Sequence, residues 1–280
     1  MKSLIDFINE LTNESVLSDI EDTLSVSNDD LATELITNWI NDNWRVDGKL
    51  TIKFEGNTRV VDCSGNVRYP KTGKITNDMF VWGNVMGDFV FNALDTDTNK
   101  VKTFIGLGLP RFVGGTLNLH SFTNVTNLEG LPDNVGSLHI SGFKKLASLK
   151  GCPINVDNIF TITLCASLKG LDYLPEHIGG GITINHNVNL LAIDGLSAVT
   201  NVVNGDLYIN GNFKLKSLEG CPSIVDGVFS CEKCKALTSL SGCPEQVKYN
   251  FYCKNCATRF KKTEDESICQ VGGEIEAYTR

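Results

Sequence analysis

The sequence lacks any long apolar run. No stretch approaches the roughly 20 consecutive apolar residues of a membrane-spanning helix, so no such span is expected. It also lacks a basic cluster. Arg259, Lys261 and Lys262 are followed at once by Glu264, Asp265 and Glu266, and the net charge is -8. Nucleic-acid binding draws on clustered Lys and Arg, so that partner class is not expected. Asp6 and Glu10 interrupt the place where a signal core would lie, so the expected location is cytoplasmic. Histidine is scarce: there are four, and none falls in residues 1–83. No Ser/His/Asp or Cys/His set follows from sequence order, and no Gly-rich phosphate loop stands in a strand-to-helix context. Gly179, Gly180 and Gly181 read instead as a chain corner.

Two things are plentiful. Hydrophobic residues make up 41%, more than a disordered chain carries, so a real core is expected. There are also ten cysteines, expected to stay reduced in a chain read as cytoplasmic.

The apolar residues recur. From Leu207 the pattern runs Leu207, Ile209, Asn212, Leu215, Leu218, Cys221, Pro222, Val225. From Phe229 it repeats with the same spacing: Phe229, Cys231, Cys234, Leu237, Leu240, Cys243, Pro244, Val247. Units of this kind begin at Leu117, Leu138, Phe160, Ile182, Leu207, Phe229 and Phe251, at intervals of 21, 22, 22, 25, 22 and 22 residues. The long interval is expected to bulge as a loop around Ala198 to Asn204. Looser units open at Phe89 (Phe89, Phe91, Leu94) and around Val61, Cys63 and Asn66.

Each feature of the unit has a physical reading. The alternating apolar pair that opens it makes a short strand with one buried face. The Asn/Cys slot (Cys165, Asn187, Asn212, Cys234, Cys256) can bond backbone groups of the turn leaving the strand. The spaced leucines fill the core, and the prolines set an extended return path. Gly136, Gly180, Gly205 and Gly227 stand two residues before a strand, where the chain turns tightly. One coil cannot bury its apolar side alone, but stacked coils can.

The frame Leu207-x-Ile209-x-x-Asn212-x-x-Leu215 resembles the leucine-rich repeat family, with one extra residue between the Asn slot and the next leucine. That spacing, with phrases such as LEGCP and GDLYINGN, is similar to the degenerate repeats of bacterial and tailed-phage proteins. The resemblance covers about residues 85 to 258. It implies a repeat solenoid: leucine-rich-repeat-like, with a parallel β-sheet and about seven to eight repeats over residues 84–260. Residues 1–83 read as a small helical or α+β N-terminal cap, with a separate docking domain as the alternative. Helical faces are expected from Leu4, Ile8 and Leu11, from Leu17, Ile20 and Leu24, and from Leu31, Leu35, Trp39 and Ile40, the last capped by Asn28. Strands are expected over 50–54 and 60–63. Residues 261–280 read as a C-terminal cover or tail.

Two constellations carry chemistry. Cys231-x-x-Cys234 and Cys253-x-x-Cys256 have a zinc-ribbon spacing. The repeat explains the same residues without metal, since Cys231 and Cys253 take inward strand positions and Cys234 and Cys256 take the Asn/Cys slot. The expectation is therefore no cofactor, with zinc on these four thiols as the alternative. Asp95, Asp97 and Asn99 alternate like a calcium loop but lack its later glycine and distal Glu. The second constellation is the row of outward strand positions: Asn118, His120, His139, Ser141, Thr161, Thr163, Thr183, Asn185, Tyr208, Asn210, Ser230, Glu232, Tyr252 and Lys254. A solenoid presents a partner with one or two such side chains per coil, and tyrosine is a typical anchor. An ordinary solvated sheet face is the competing reading.

The expected function is a non-catalytic protein-binding repeat module. As the resemblance implies, it would be phage-encoded and act on a host or phage protein. The alternatives are a structural component of a phage particle, located in the virion and self-associating, and an effector with its activity in the N-terminal region. Within residues 1–83, Cys63 is the only candidate thiol for that last role.

Overall fold

The computed structural model describes residues 28–56, 58–68, 79–93, 100–257 and 269–276. The expectations for residues 1–27, for Leu94, Asp95, Asp97 and Asn99, and for residues 261–268 lie outside these.

Alternating apolar residues at a 22-residue recurrence dictate a strand that stacks on its own copies. In the structure Leu117, Leu138, Phe160, Ile182, Leu207, Phe229 and Phe251 are consecutive partners in one parallel ladder. These are the seven unit starts read from the sequence. The ladder also runs past those bounds. Phe89 pairs with Leu117 and Val67 with Phe89 on one side, and Phe251 pairs with Ile275 on the other. This front ladder has ten parallel rungs among the described residues, hence nine turns of coil. At about 4.8 Å per rung, nine spacings make a sheet about 43 Å long. The architecture is a mostly parallel β-solenoid, and the last coil lies within what the sequence offered as a tail.

A second, rear ladder was not legible. Val85, Val113, Val135, Val156 and Ile178 follow one another in it, each the closing apolar residue of its coil. Val203, Val225, Val247 and Val271 continue the role in a separate four-stranded sheet. Most of these strands are two residues long, so they offer no alternation to detect. The Cys63 expected to open a unit belongs here, opposite Val85, and the front strand of its coil is Asn66–Arg68. The rear ladder divides in the 25-residue coil. Helix α2 (Gly195–Val199) takes up the insertion expected as a loop around Ala198, and Val202–Val203 then rejoins a rear sheet.

The N-terminal region is joined to the same core. Helix α1 (Asn28–Asn43) buries Ala32, Ile36 and Ile40, continued by Trp44. The expected face of Leu31, Leu35, Trp39 and Ile40 is corrected: Leu31 is exposed and only Ile40 is fully buried. The i, i+4 line from Ala32 wins because it meets aromatic walls. Trp44 packs edge-on to Trp82 at 5.6 Å and lies 5.4 Å from Phe89, while Trp39 meets Phe80 at 5.9 Å. Leu50–Glu55 and Thr58–Cys63 form a hairpin whose second strand enters the rear ladder.

Two corners hold each coil. After the front strand the chain passes through left-handed backbone at Ser121, Leu164, His186, Lys233 and Asn255, where other coils have Gly142 and Gly211. Such a conformation costs a non-glycine residue on the order of 1 kcal/mol, which the stacked coils must supply. Between rear and front strands the backbone of one coil sits directly on the next. A Cβ at Gly136 would lie 2.1 Å from the Gly114 carbonyl oxygen, and one at Gly227 would lie 2.4 Å from Gly205. Close approach, rather than backbone conformation, requires glycine there.

The Asn/Cys slot behaves as its chemistry suggests. Asn212 Nδ2 donates to the carbonyls of Ile184 (2.7 Å) and Ile209 (2.8 Å), and its Oδ1 accepts the Asn187 N–H at 2.9 Å. Asn187 repeats this one coil back, with Cys165 N–H and the Ile162 carbonyl. Cys234 substitutes a thiol, donating to the Ile209 carbonyl at 3.1 Å. In the first coils the slot is filled by Phe122 and Phe143, whose rings meet edge-on at 5.4 Å.

Candidate binding face

Strand alternation turns two columns of side chains away from the core. One column runs Asn118, His139, Thr161, Thr183, Tyr208, Ser230, Tyr252, each beside the next. The other runs Asn92, His120, Ser141, Thr163, Asn185. Backbone bonds in which Gly211 N–H meets the Glu232 carbonyl and Lys233 N–H meets the Lys254 carbonyl carry it on through Asn210, Glu232 and Lys254. All fourteen outward residues expected from the sequence therefore share one face.

Much of that face is bonded to itself. Asn185 Oδ1 accepts the Asn210 N–H at 2.6 Å. Asn210 Oδ1 accepts both the Glu232 N–H and the Ser230 hydroxyl at 2.7 Å. The Thr163 hydroxyl donates to Ser141 Oγ at 3.0 Å. Asn185 and Asn210 thus tie rungs together, and a partner meets their remaining amide edges. Thr161 is a correction. It is only 8% exposed, because a short side chain between His139 and Thr183 is covered by its neighbours, and Ser230 is buried likewise between the two tyrosines.

The tyrosines are oriented from the corner side. The Tyr208 hydroxyl donates to the Asp206 carboxylate at 2.9 Å, and Asn250 Nδ2 donates to the Tyr252 hydroxyl at 2.6 Å. Burial first, and then the bond to Asp206, push the Tyr208 phenol above its ordinary range. Two rungs separate the rings, about 10 Å by strand spacing. Lys254 ion-pairs with Glu276 across adjacent rungs, a half-exposed pair of small energetic worth.

His120 and His139 have ring centres 5.1 Å apart with planes inclined at 50°. Burial holds both imidazoles below the usual histidine range, and His120 adds to the effect at His139. His186 occupies a left-handed corner, and His177 lies in a rear strand beside Asn155.

The cysteines are all unbridged. The Cys234 and Cys256 thiols donate to the carbonyls of Ile209 and Cys231, each at 3.1 Å. Burial pushes Cys234 and Cys165 up to about 12, which keeps these thiols protonated and poorly nucleophilic. Among the described residues no group of three or more His, Cys, Asp or Glu side chains is placed to hold a metal ion. Of the four cysteines with zinc-ribbon spacing, Cys234 is turned by the Asn/Cys slot toward backbone one coil away.

Sequence reasoning missed Asn92, the neighbour of His120. Aligning Phe89 with Leu117 would have found it. It also missed an open depression of about 440 Å³ on the rear side, lined by Phe80, Trp82, Phe104, Leu107 and Arg111. Its residues come from separate coils and leave no local signal. No helix among the described residues is long and apolar enough to cross a membrane. The chain matches no protein-family model, no curated protein and no solved structure.

Proposed function

We propose that this chain is a non-catalytic protein-binding repeat module whose front sheet is the binding face. The observation that carries the reading is the assembly of the outward residues into two straight columns on one face, with Tyr208 and Tyr252 as anchors two rungs apart. Aromatic anchors in a polar, short-chained surface suit a protein partner. A net charge of -8 disfavours nucleic acid as that partner. An N-terminal catalytic role is the weaker reading. Cys63 is buried, burial raises its thiol, and a protonated, covered thiol is a poor nucleophile.

Within this proposal the solenoid is leucine-rich-repeat-like and akin to the repeat proteins of bacteria and tailed phages. In the N-terminal region read as a cap over residues 1–83, helix α1 is the part that covers the first coil. The site of action is then the host cytoplasm, with the virion as the location under a structural role. The test is affinity purification of the tagged chain from its native cells, run beside the Tyr208→Ala/Tyr252→Ala variant and a rear-face control, Lys248→Ala. Stoichiometric capture of one protein, lost in the tyrosine variant and kept in the control, supports the proposal. Capture that ignores the tyrosines, or recovery only with copies of the chain or in assembled particles, sinks it. The latter outcome favours the structural role.

A further inference from the structure

Four outward residues near the start of the front sheet form a quartet with too many acceptors. Asn92 stands beside His120, and Asn118 beside His139, in the ladder register. The two imidazoles face each other diagonally across the same two rungs. The Oδ1 atoms of Asn92 and Asn118 are both shielded from solvent and accept no hydrogen bond. A buried carbonyl without a donor costs about 1–3 kcal/mol, and two on neighbouring rungs need a common explanation. Neutral imidazole adds a lone pair at each ring. Two amide oxygens and two ring nitrogens are the donor set for a cation, and no acid or thiol is needed to complete it.

The ring geometry points the same way. With metal–nitrogen distances of about 2.0–2.1 Å, an ion lies roughly 3.2 Å from each ring centre, so two rings on one tetrahedral ion are about 5.2 Å apart. The observed separation is 5.1 Å. Mixed imidazole and carbonyl donors suit a first-row divalent ion such as Zn²⁺ rather than Ca²⁺ or Mg²⁺, which take oxygen alone. We infer that Asn92, Asn118, His120 and His139 form a binding site for a divalent transition-metal ion on the front face, at the N-terminal end of the sheet. The ion would satisfy the two orphaned oxygens and clamp three successive coils. This inference does not depend on the front face binding a protein.

The experiment titrates Zn²⁺ into the full chain and follows the imidazole resonances by NMR. This readout separates the site from the thiols of the last coils, which can also take zinc. Resonances of His120 and His139 are expected to shift together and saturate, while His177 and His186 stay in place. In His120→Gln the zinc midpoint at His139 is expected to weaken at least roughly tenfold, since even loss of an outer-shell partner costs about 10–100-fold. His120 and His139 resonances that stay unmoved at excess zinc would overturn the inference. So would an unchanged midpoint at His139 in His120→Gln. The wild-type titration decides the matter even if the variant fails to fold.

Discussion

Asn212 shows how one side chain can hold a coil. Its amide makes three buried bonds, two to the preceding coil and one within its own, so no neighbour can replace it without rebuilding the corner. Asn212→Ala leaves the Asn187 N–H and the Ile184 carbonyl unpaired, and the Ile209 carbonyl with the Cys234 thiol alone, at an expected cost of about 3 kcal/mol. Asn212→Cys should cost about half of that, because Cys234 already bonds the Ile209 carbonyl from the same slot. Urea denaturation of the two variants checks this, and equal costs would refute the slot's rationale. The histidine pair makes a second residue-scale prediction. Burial lowers both imidazoles from the usual value of 6.5, so the folded chain disfavours their protonation. Below that pH the unfolded imidazoles take up protons that the folded ones do not. Stability contributed by keeping them neutral is thus present above about pH 6.5 and is lost as pH falls through the lower folded values. In metal-free buffer the urea midpoint is expected to drop between about pH 7 and pH 5.5. The drop should shrink in His120→Asn/His139→Asn.

At the scale of elements, the short strands depend on their stack. A two-residue strand such as Phe229–Ser230 makes few bonds alone and persists because rungs lie above and below it. Helix α1 does the same for the first coils through Ile36 and Ile40, both fully buried. Ile36→Ala should cost about 2–5 kcal/mol by opening a cavity under the helix. In a stack with nearest-neighbour coupling that loss stays local. Hydrogen exchange is expected to quicken in Thr58–Cys63 and Val81–Val85 and to remain unchanged in Phe229–Ser230 and Phe251–Tyr252. Uniform acceleration along the chain would contradict a stack coupled only to its neighbours. The helical segment was expected from spacing, but the wrong stripe was read. Leu31 and Leu35 are more apolar than Ala32, and only the position of Phe80 and Trp82 shows which stripe is covered.

At the scale of the whole molecule, one apolar core runs the length of the coils, from Ile36 to Cys269. Its make-up drifts along the axis. Phenylalanine rings fill the early coils, with Phe91, Phe104, Phe122 and Phe143 in contact, while asparagine and thiol groups fill the later ones. The outer face drifts in parallel, from the Asn and His quartet through short threonines to the paired tyrosines. A partner that uses the tyrosines therefore docks on a different stretch of the sheet from the proposed ion site, and the two tests can be run on the same chain without interference.

What the sequence determined by itself was local and periodic. Two apolar residues two apart, recurring every 22 positions, were enough to place the seven strand starts, their inward residues and the outward columns. The periodicity also explained the cysteines as repeat positions before any distance was known. What only the tertiary structure decided depends on how one coil lies over the next. The two-residue rear strands carry no alternation. The glycine corner is defined by a carbonyl more than 20 residues away, and Thr161 is covered by neighbours from other coils. Asn92 joins His120, His139 and Asn118 only because the insertion between Phe89 and Leu117 leaves the front register intact. Contacts between coils are set by loop length and stacking offset, and neither is written in any single coil.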